Sequence, residues 1–500
     1  MEQVLERFSA YLEKSRAFEH AAQLMYYDME TTMPPAASPL LGDTLGVLSE
    51  VSYERSTSPE LMEMIQTILD AGEDRVGENW HLVAKRLSEQ HERTACIPKE
   101  EFVEYQVQLV AAQNAWLTAK RNNDFWTFLP HLEKLVETNA RFARYYKPNE
   151  PVYDTLLDDY EKGMTTEKLD EFFKSIREKL VPLLRKILLA PAPDTSFLKK
   201  SYPVEKQREL SDYLMQVMGM DRTRSTIGET EHPFTINFTK NDVRITTHYF
   251  EDAVASSMYS VVHEAGHATY ELNVADEITR LPIGGGVSMG VHESQSRFFE
   301  NIIGRSEPFI RYIFPKLKEL FPEQLDGVTP HDFYRAVNKA EPSLIRTEAD
   351  ELTYGFHIMV RYELEKRLFD GSLKPQDLPK AWNESMMDYL GIEVPCDAEG
   401  VLQDMHWSGG SFGYFPSYAI GSAYAAQLLN RMEQDMDVWG EVEKGNLAPI
   451  IEWLTERIYR HGSKYDPTPL MEQAFGEPFS PAYYVDYLVK KYTDLYHLTD

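Results

Sequence analysis

Along most of this chain apolar residues recur at three- and four-residue steps, the period of one face of an α-helix. The clearest runs are 169–189, 101–121 and 333–369, and Pro342 splits the last into two helices. The first twenty residues, MEQVLERFSAYLEKSRAFEH, read as a charged amphipathic helix. Strict alternation is confined to TINFTKNDVRITTHYF, 235–250. There β-branched and aromatic residues flank Lys240-Asn241, which predicts a short hairpin. LPIGGGVSMGVHES, 281–294, opens with Pro282 and three glycines and then enters a helix. GVLQDMHWSGGSFGYFPSYAIG, 400–421, has little periodicity and many glycines, aromatics and polar groups, as expected of a loop that lines a site. No internal repeat or linker is visible. The expectation is a mainly α protein, with one large helical body spanning 1–500.

Composition narrows the partners more than the fold. The chain has 500 residues, is 43% hydrophobic and 26% charged, and carries a net charge of −29. Such a surface repels phosphate backbones and anionic lipid, so neither nucleic acid nor membrane is expected as a partner. A local basic pocket for an anionic group remains compatible with it. Two cysteines, Cys96 and Cys396, leave no room for a disulfide framework. The N-terminal helix lacks the apolar stretch and cleavage site of a signal peptide, and no segment approaches the ~20 apolar residues of a membrane span. A cytoplasmic location is expected.

The chemistry is concentrated in VVHEAGHATYELN, 261–273. On a helix, positions four apart share a face, so His263 and His267 can reach one metal ion. Glu264, rotated by about 100°, borders the same site and can accept a proton from water. Two imidazoles and a carboxylate suit zinc with a coordination position left open. The third ligand is not a histidine six residues past His267, because that position is Asn273. Glu293, twenty-six residues past His267, follows the glycine tract on a helix of its own and is favoured. Glu271, one turn beyond His267, is the competing ligand, with poor reach along its own helix. His292 and Ser294 are then expected to surround the ligands.

HEAGH followed by HESQS at 292–296 resembles the carboxypeptidase Taq family of zinc metallocarboxypeptidases. The similarity extends to YYDMETTMPPAA at 26–37, HPF at 232–234, DVRIT at 242–246, IRTEA at 345–349 and GVLQDMHW at 400–407, in that order. The resemblance implies a helical body with a deep central groove like that of neurolysin. It also implies a small β hairpin near the active site, a single catalytic domain with two helical subdomains flanking the groove, and a homodimer. The implied activity is release of single amino acids from peptide C-termini with broad specificity. Zinc is the implied cofactor, with cobalt or manganese as possible substitutes.

The same resemblance distributes roles. His263, His267 and Glu293 hold the metal and Glu264 is the general base. An exopeptidase must also read the terminal carboxylate, which suits the planar donor fork of an arginine. Arg244 in DVRIT and Arg346 in IRTEA are the candidates; the bland alternative for each is a structural salt bridge. Arg346 ranks first, because a helix-borne IRTEA holds it more rigidly than a hairpin holds Arg244. His406, Tyr414 and Tyr418 are candidate donors to the substrate or an oxyanion. Trp407, Phe412 and Phe415 read as packing, Gln403 and Asp404 as orienting neighbours, and His232 and His248 as poor ligand candidates. Two other readings stand beside the carboxypeptidase: an endopeptidase or dipeptidase of the same class, and a non-catalytic peptide binder. The intact Glu264 argues against the binder.

Overall fold

The computed structural model describes residues 1–498. Among them are twenty-one α-helices and three β-strands, so the expectation of a mainly α protein holds. No helix of the described residues is long and apolar enough to cross a membrane. The chain divides into two compact units. One comprises Met1–Cys96, Tyr202–Val287 and Leu447–Tyr465; the other comprises Ile97–Ser201, Ser288–Asn446 and the segment from Asp466 onward.

The first unit holds the N-terminal helix, Glu2–Thr31, and the helix of the histidine pair, Val254–Leu272. Part of its core gathers Phe8, Leu61, Ile65, Ile68 and Val83 with Val274, Ile278 and Ile283 from the stretch after the histidine helix. The expected hairpin is present as β2 (Thr235–Thr239) and β3 (Asp242–Thr247), antiparallel and turning at Lys240-Asn241. A third strand, β1 (Ser225–Glu229), pairs parallel to β3, so the sheet order is β1-β3-β2. β1 escapes a sequence reading because STIGE is short, includes a glycine and does not alternate cleanly. Strands β2 and β3 pack against the histidine helix.

In the second unit, Glu293 lies on a short helix, Met289–Arg297. Ser288 caps it, its hydroxyl accepting from Val291 N at 3.1 Å. This helix runs into a π-helical turn at Phe298–Gly304. The helix Pro416–Asp435 packs against it, and the helix Glu351–Phe369 is buried along almost its whole length. The run 333–369 breaks more widely than Pro342 alone implies. One helix ends at Val337, and the next starts only where Asp350 accepts from Leu352 N and Thr353 N, both at 3.0 Å. Between them Arg346–Glu348 forms a single 3-10 turn. Arg346 is therefore not on an α-helix, and rigidity of a helix cannot be the reason to rank it above Arg244.

Candidate metal centre and its surroundings

The histidine helix brings the rings of His263 and His267 to a centroid separation of 5.0 Å, nearly perpendicular at 81°. A ligand atom of each, together with a carboxylate oxygen of Glu293, lies within 4.8 Å of the others. Two imidazoles and one carboxylate fit a divalent ion of the zinc type. Glu271 is turned to other work. Its Oε2 accepts from Asn237 Nδ2 at 2.8 Å and its Oε1 from Gly286 N at 2.9 Å, which ties β2 and the glycine tract to the helix.

Glu264 is buried. Thr235, at the start of β2, places its hydroxyl 2.6 Å from Glu264 Oε2 and 3.0 Å from the Glu264 carbonyl oxygen. The hairpin thus orients the Glu264 carboxylate. Nothing in the local pattern of β2 marks Thr235 for this role, since alternation gives a strand and not a neighbour.

Arg346 is buried and bound. Its Nε and Nη2 donate to Asp404 Oδ1 at 3.0 and 2.9 Å, and its Nη1 donates to the Tyr354 hydroxyl at 2.9 Å. Gln403 accepts from Arg346 N at 3.0 Å, so Gln403 and Asp404 both orient a neighbour in IRTEA, as expected. Asp404 has a second cation. Arg361, fully buried, donates from Nε to Oδ2 at 2.7 Å and also pairs through Nη2. Burial alone raises the Asp404 pKa, but Arg361 and Arg346 outweigh it and hold the carboxyl well below the usual range. One carboxylate between two guanidinium groups leaves the cluster with an excess positive charge, and only Arg346 of the two is not wholly enclosed. The sequence carries no signal for Arg361, which sits in an ordinary helical run.

His406, Tyr414 and Tyr418 form one group. His406 Nε2 lies 3.2 Å from the Tyr418 hydroxyl, its ring stacks on Tyr414 at 5.3 Å, and the two tyrosine rings are 5.1 Å apart. Burial pushes His406 down to about 4, with Arg346 and Arg361 reinforcing and Asp404 opposing, so the ring is neutral near pH 7. Burial raises both tyrosines, which keeps their hydroxyls protonated and able to donate. The Arg346 guanidinium carbon lies 4.9 Å from the Tyr418 ring centre. Trp407, Phe412 and Phe415 are buried packing.

In the first unit, Arg244 makes a two-point pair with Asp242, Nε to Oδ1 and Nη2 to Oδ2, both at 2.8 Å. Its guanidinium also stands 5.1 Å from the Tyr27 ring and 4.9 Å from that of Phe238. Phe234 N donates to Thr246 Oγ1 at 2.9 Å, so HPF, DVRIT and the opening segment meet around one sheet. His232 is exposed, and His248 Nδ1 lies 3.0 Å from the Thr230 carbonyl oxygen; neither joins the metal cluster.

A helix-borne histidine pair and a carboxylate from a second helix form a candidate metal site, with a glutamate beside the first histidine, the residue types a metallopeptidase uses. The whole chain agrees. Residues 7–492 match the carboxypeptidase Taq (M32) metallopeptidase family. Carboxypeptidase 1 of Bacillus subtilis is 40% identical over 495 residues, 99% of each chain. Thermostable carboxypeptidase 1 of Thermus thermophilus is 38% identical over 490 residues, 95% of each. The crystal structure of an M32 carboxypeptidase from Deinococcus radiodurans R1 superimposes with a TM-score of 0.96 at 33% identity, covering 99% of this chain and 100% of that one. The protein belongs to the carboxypeptidase Taq family of metallopeptidases.

Proposed function

We propose that the protein is a zinc metallocarboxypeptidase that releases single amino acids from the free C-termini of peptides, with broad specificity. The observation that carries this is the His263, His267 and Glu293 cluster on whose histidine helix Glu264 is held by Thr235. A binder has no use for a buried carboxylate aimed by a hydroxyl. When bound, the ion supplies Lewis-acid polarisation of the scissile carbonyl and lowers the pKa of the attacking water. Glu264 takes the proton from that water and returns it to the leaving amine. The Tyr414 and Tyr418 hydroxyls and a neutral His406 are suited to donate to the carbonyl oxygen as negative charge develops.

For the substrate's terminal carboxylate, charge favours Arg346 over Arg244. Arg244 is matched one to one by Asp242, which makes a neutral pair. Asp404 is shared between Arg361 and Arg346, so two cations face one carboxylate and a second anion beside Arg346 is favoured. Asp404 and Tyr354 hold the guanidinium rigid while other N–H groups of its fork remain for a ligand.

The test is a digest of matched peptides with free and amidated C-termini, read by mass spectrometry. Stepwise loss of single residues from the free peptide only is expected. Arg346→Ala should lower kcat/KM for the free peptide and shrink its advantage over the amidated one. Internal fragments, or equal cleavage of both peptides, would sink the exopeptidase reading and favour an endopeptidase with the same metal site.

We also propose that the protein works as a homodimer in the cytoplasm. The helix Lys99–Asn122 supports self-association: Val103, Val107, Val110 and Leu117 are 54, 66, 61 and 42% exposed. With Asn114 they repeat every three and four residues along one face, the seam pattern of paired helices. Glu100 and Glu104 lie at one end of this face and Arg121 at the other, so an antiparallel copy meets opposite charge.

A further inference from the structure

The third ligand is the hardest of the three to place. The histidines share one helix and their spacing comes with it, whereas Glu293 depends on how its short helix is seated. Two features of that seat stand out. Gly421 lies in the middle of the helix Pro416–Asp435, where its backbone is ordinary α-helix and needs no glycine. A glycine there weakens a helix relative to alanine. Its reason is contact: a β-carbon at 421 would stand 2.7 Å from both Cβ and Cγ of Glu293 and 3.0 Å from its carbonyl carbon. These are the root of the side chain and the backbone, not a mobile tip.

The glutamate helix has little freedom to move aside. Its N-terminus is pinned by Ser288 and by Glu161, whose Oε2 accepts from Gly290 N at 3.0 Å. Glu161 Oε1 accepts from the Tyr424 hydroxyl at 3.1 Å, and Tyr424 is on the same helix as Gly421. The two helices are therefore tied together one turn from the contact. At the carboxylate end Arg297, one turn after Glu293 on its helix, donates from Nε to Glu293 Oε1 at 2.6 Å. Its guanidinium carbon lies 4.4 Å from the Tyr354 ring centre, which fixes its position.

We infer that Gly421 and Arg297 are positioning residues for the third metal ligand: Gly421 sets how closely the Glu293 backbone is seated, and Arg297 sets the orientation of its carboxylate. Each acts through its contact with Glu293. The inference rests on the metal reading proposed above. Residues that orient a ligand typically contribute 10–100-fold to metal affinity.

The experiment is zinc affinity of the full-length protein, measured by competition with a chelator, alongside thermal unfolding of the metal-free form. Gly421→Ala and Arg297→Lys should each weaken zinc by roughly 10- to 100-fold. In a Glu293→Ala background the two changes should add little further loss, because the group they position is gone. A merely structural role moves the metal-free unfolding temperature and leaves zinc affinity alone. Affinity within twofold of the parent in either soluble variant overturns the inference for that residue. If Gly421→Ala does not fold, Arg297→Lys and the Glu293→Ala background decide it. His263→Ala is the control: if that change also leaves zinc affinity intact, the metal site itself is misassigned, a different failure.

Discussion

Glu264 and Thr235 illustrate what single positions decide. The spacing of HEAGH places Glu264 beside the ligands, and burial with a 2.6 Å hydroxyl contact gives it a fixed direction. Glu264→Gln keeps the size and the contact but cannot take a proton. It is expected to bind zinc as the parent does and to lose on the order of 10²-fold or more in kcat. Metal content together with steady-state rates checks this, and near-normal turnover with full metal would remove Glu264 from the mechanism. The clustering of His263 and His267, with Glu264 beside them, was legible because helical period converts sequence spacing directly into shared position. Thr235, Arg361 and Gly421 were not, because each matters through a contact with a residue far away in the chain. Arg346 lies between these cases: its chemistry could be read, but its ties to Asp404 and Tyr354 could not.

Among the elements, long periodic helices were the most legible and short irregular ones the least. The hairpin around Lys240-Asn241 appears where β-branched alternation predicts it, yet its parallel neighbour β1 does not announce itself. IRTEA lies in a run that looks helical, yet it forms a single 3-10 turn between Pro342 and the Asp350 cap of the next helix. The helix Lys99–Asn122 carries a different message, since its exposed seam has no partner from its own pattern of burial. In an antiparallel pairing Val110 falls at the two-fold axis and meets its own copy. Val110→Glu would set two carboxylates against each other there. The dimer should weaken by about tenfold or more, a change of about 1.4 kcal/mol or greater. Sedimentation or light scattering of parent and variant reads the mass; a monomeric parent, or an unchanged dimer in the variant, would remove this face from consideration.

The whole molecule carries a net charge of −29 but buries cations and neutral imidazoles around Asp404. His357, fully buried on the helix Glu351–Phe369, is pushed down to about 3 by burial and by Arg361 and Arg346. A histidine depressed in the folded state gives its full stability above its unfolded pKa, near 6.5, and loses it as pH falls toward the folded value. Glu161 and Glu365 act in the opposite sense. Burial raises both to about 7, so their contribution is full below the ordinary carboxylate range and is lost as pH rises through 7. The total is therefore a poor readout, and a difference is a good one. His357→Leu removes one titration, so its stability relative to the parent should improve by about 2 kcal/mol between pH 7 and pH 4.5. Denaturant melts of both proteins at the two pH values measure it, and a pH-independent difference would contradict the buried neutral histidine.

Glu271 shows how an acidic side chain can matter by being kept away. It sits one turn past His267, and a carboxylate added there would give the ion a second hard oxygen donor from the protein. Asn237 and the backbone N–H of Gly286 hold both of its oxygens instead. At the proposed site, ions such as calcium, which gather six or more oxygens, would find one oxygen donor fewer, while ions content with imidazole nitrogen would not need it. At the proposed metal site, the hairpin and the glycine tract would bear on ion identity through the carboxylate they hold.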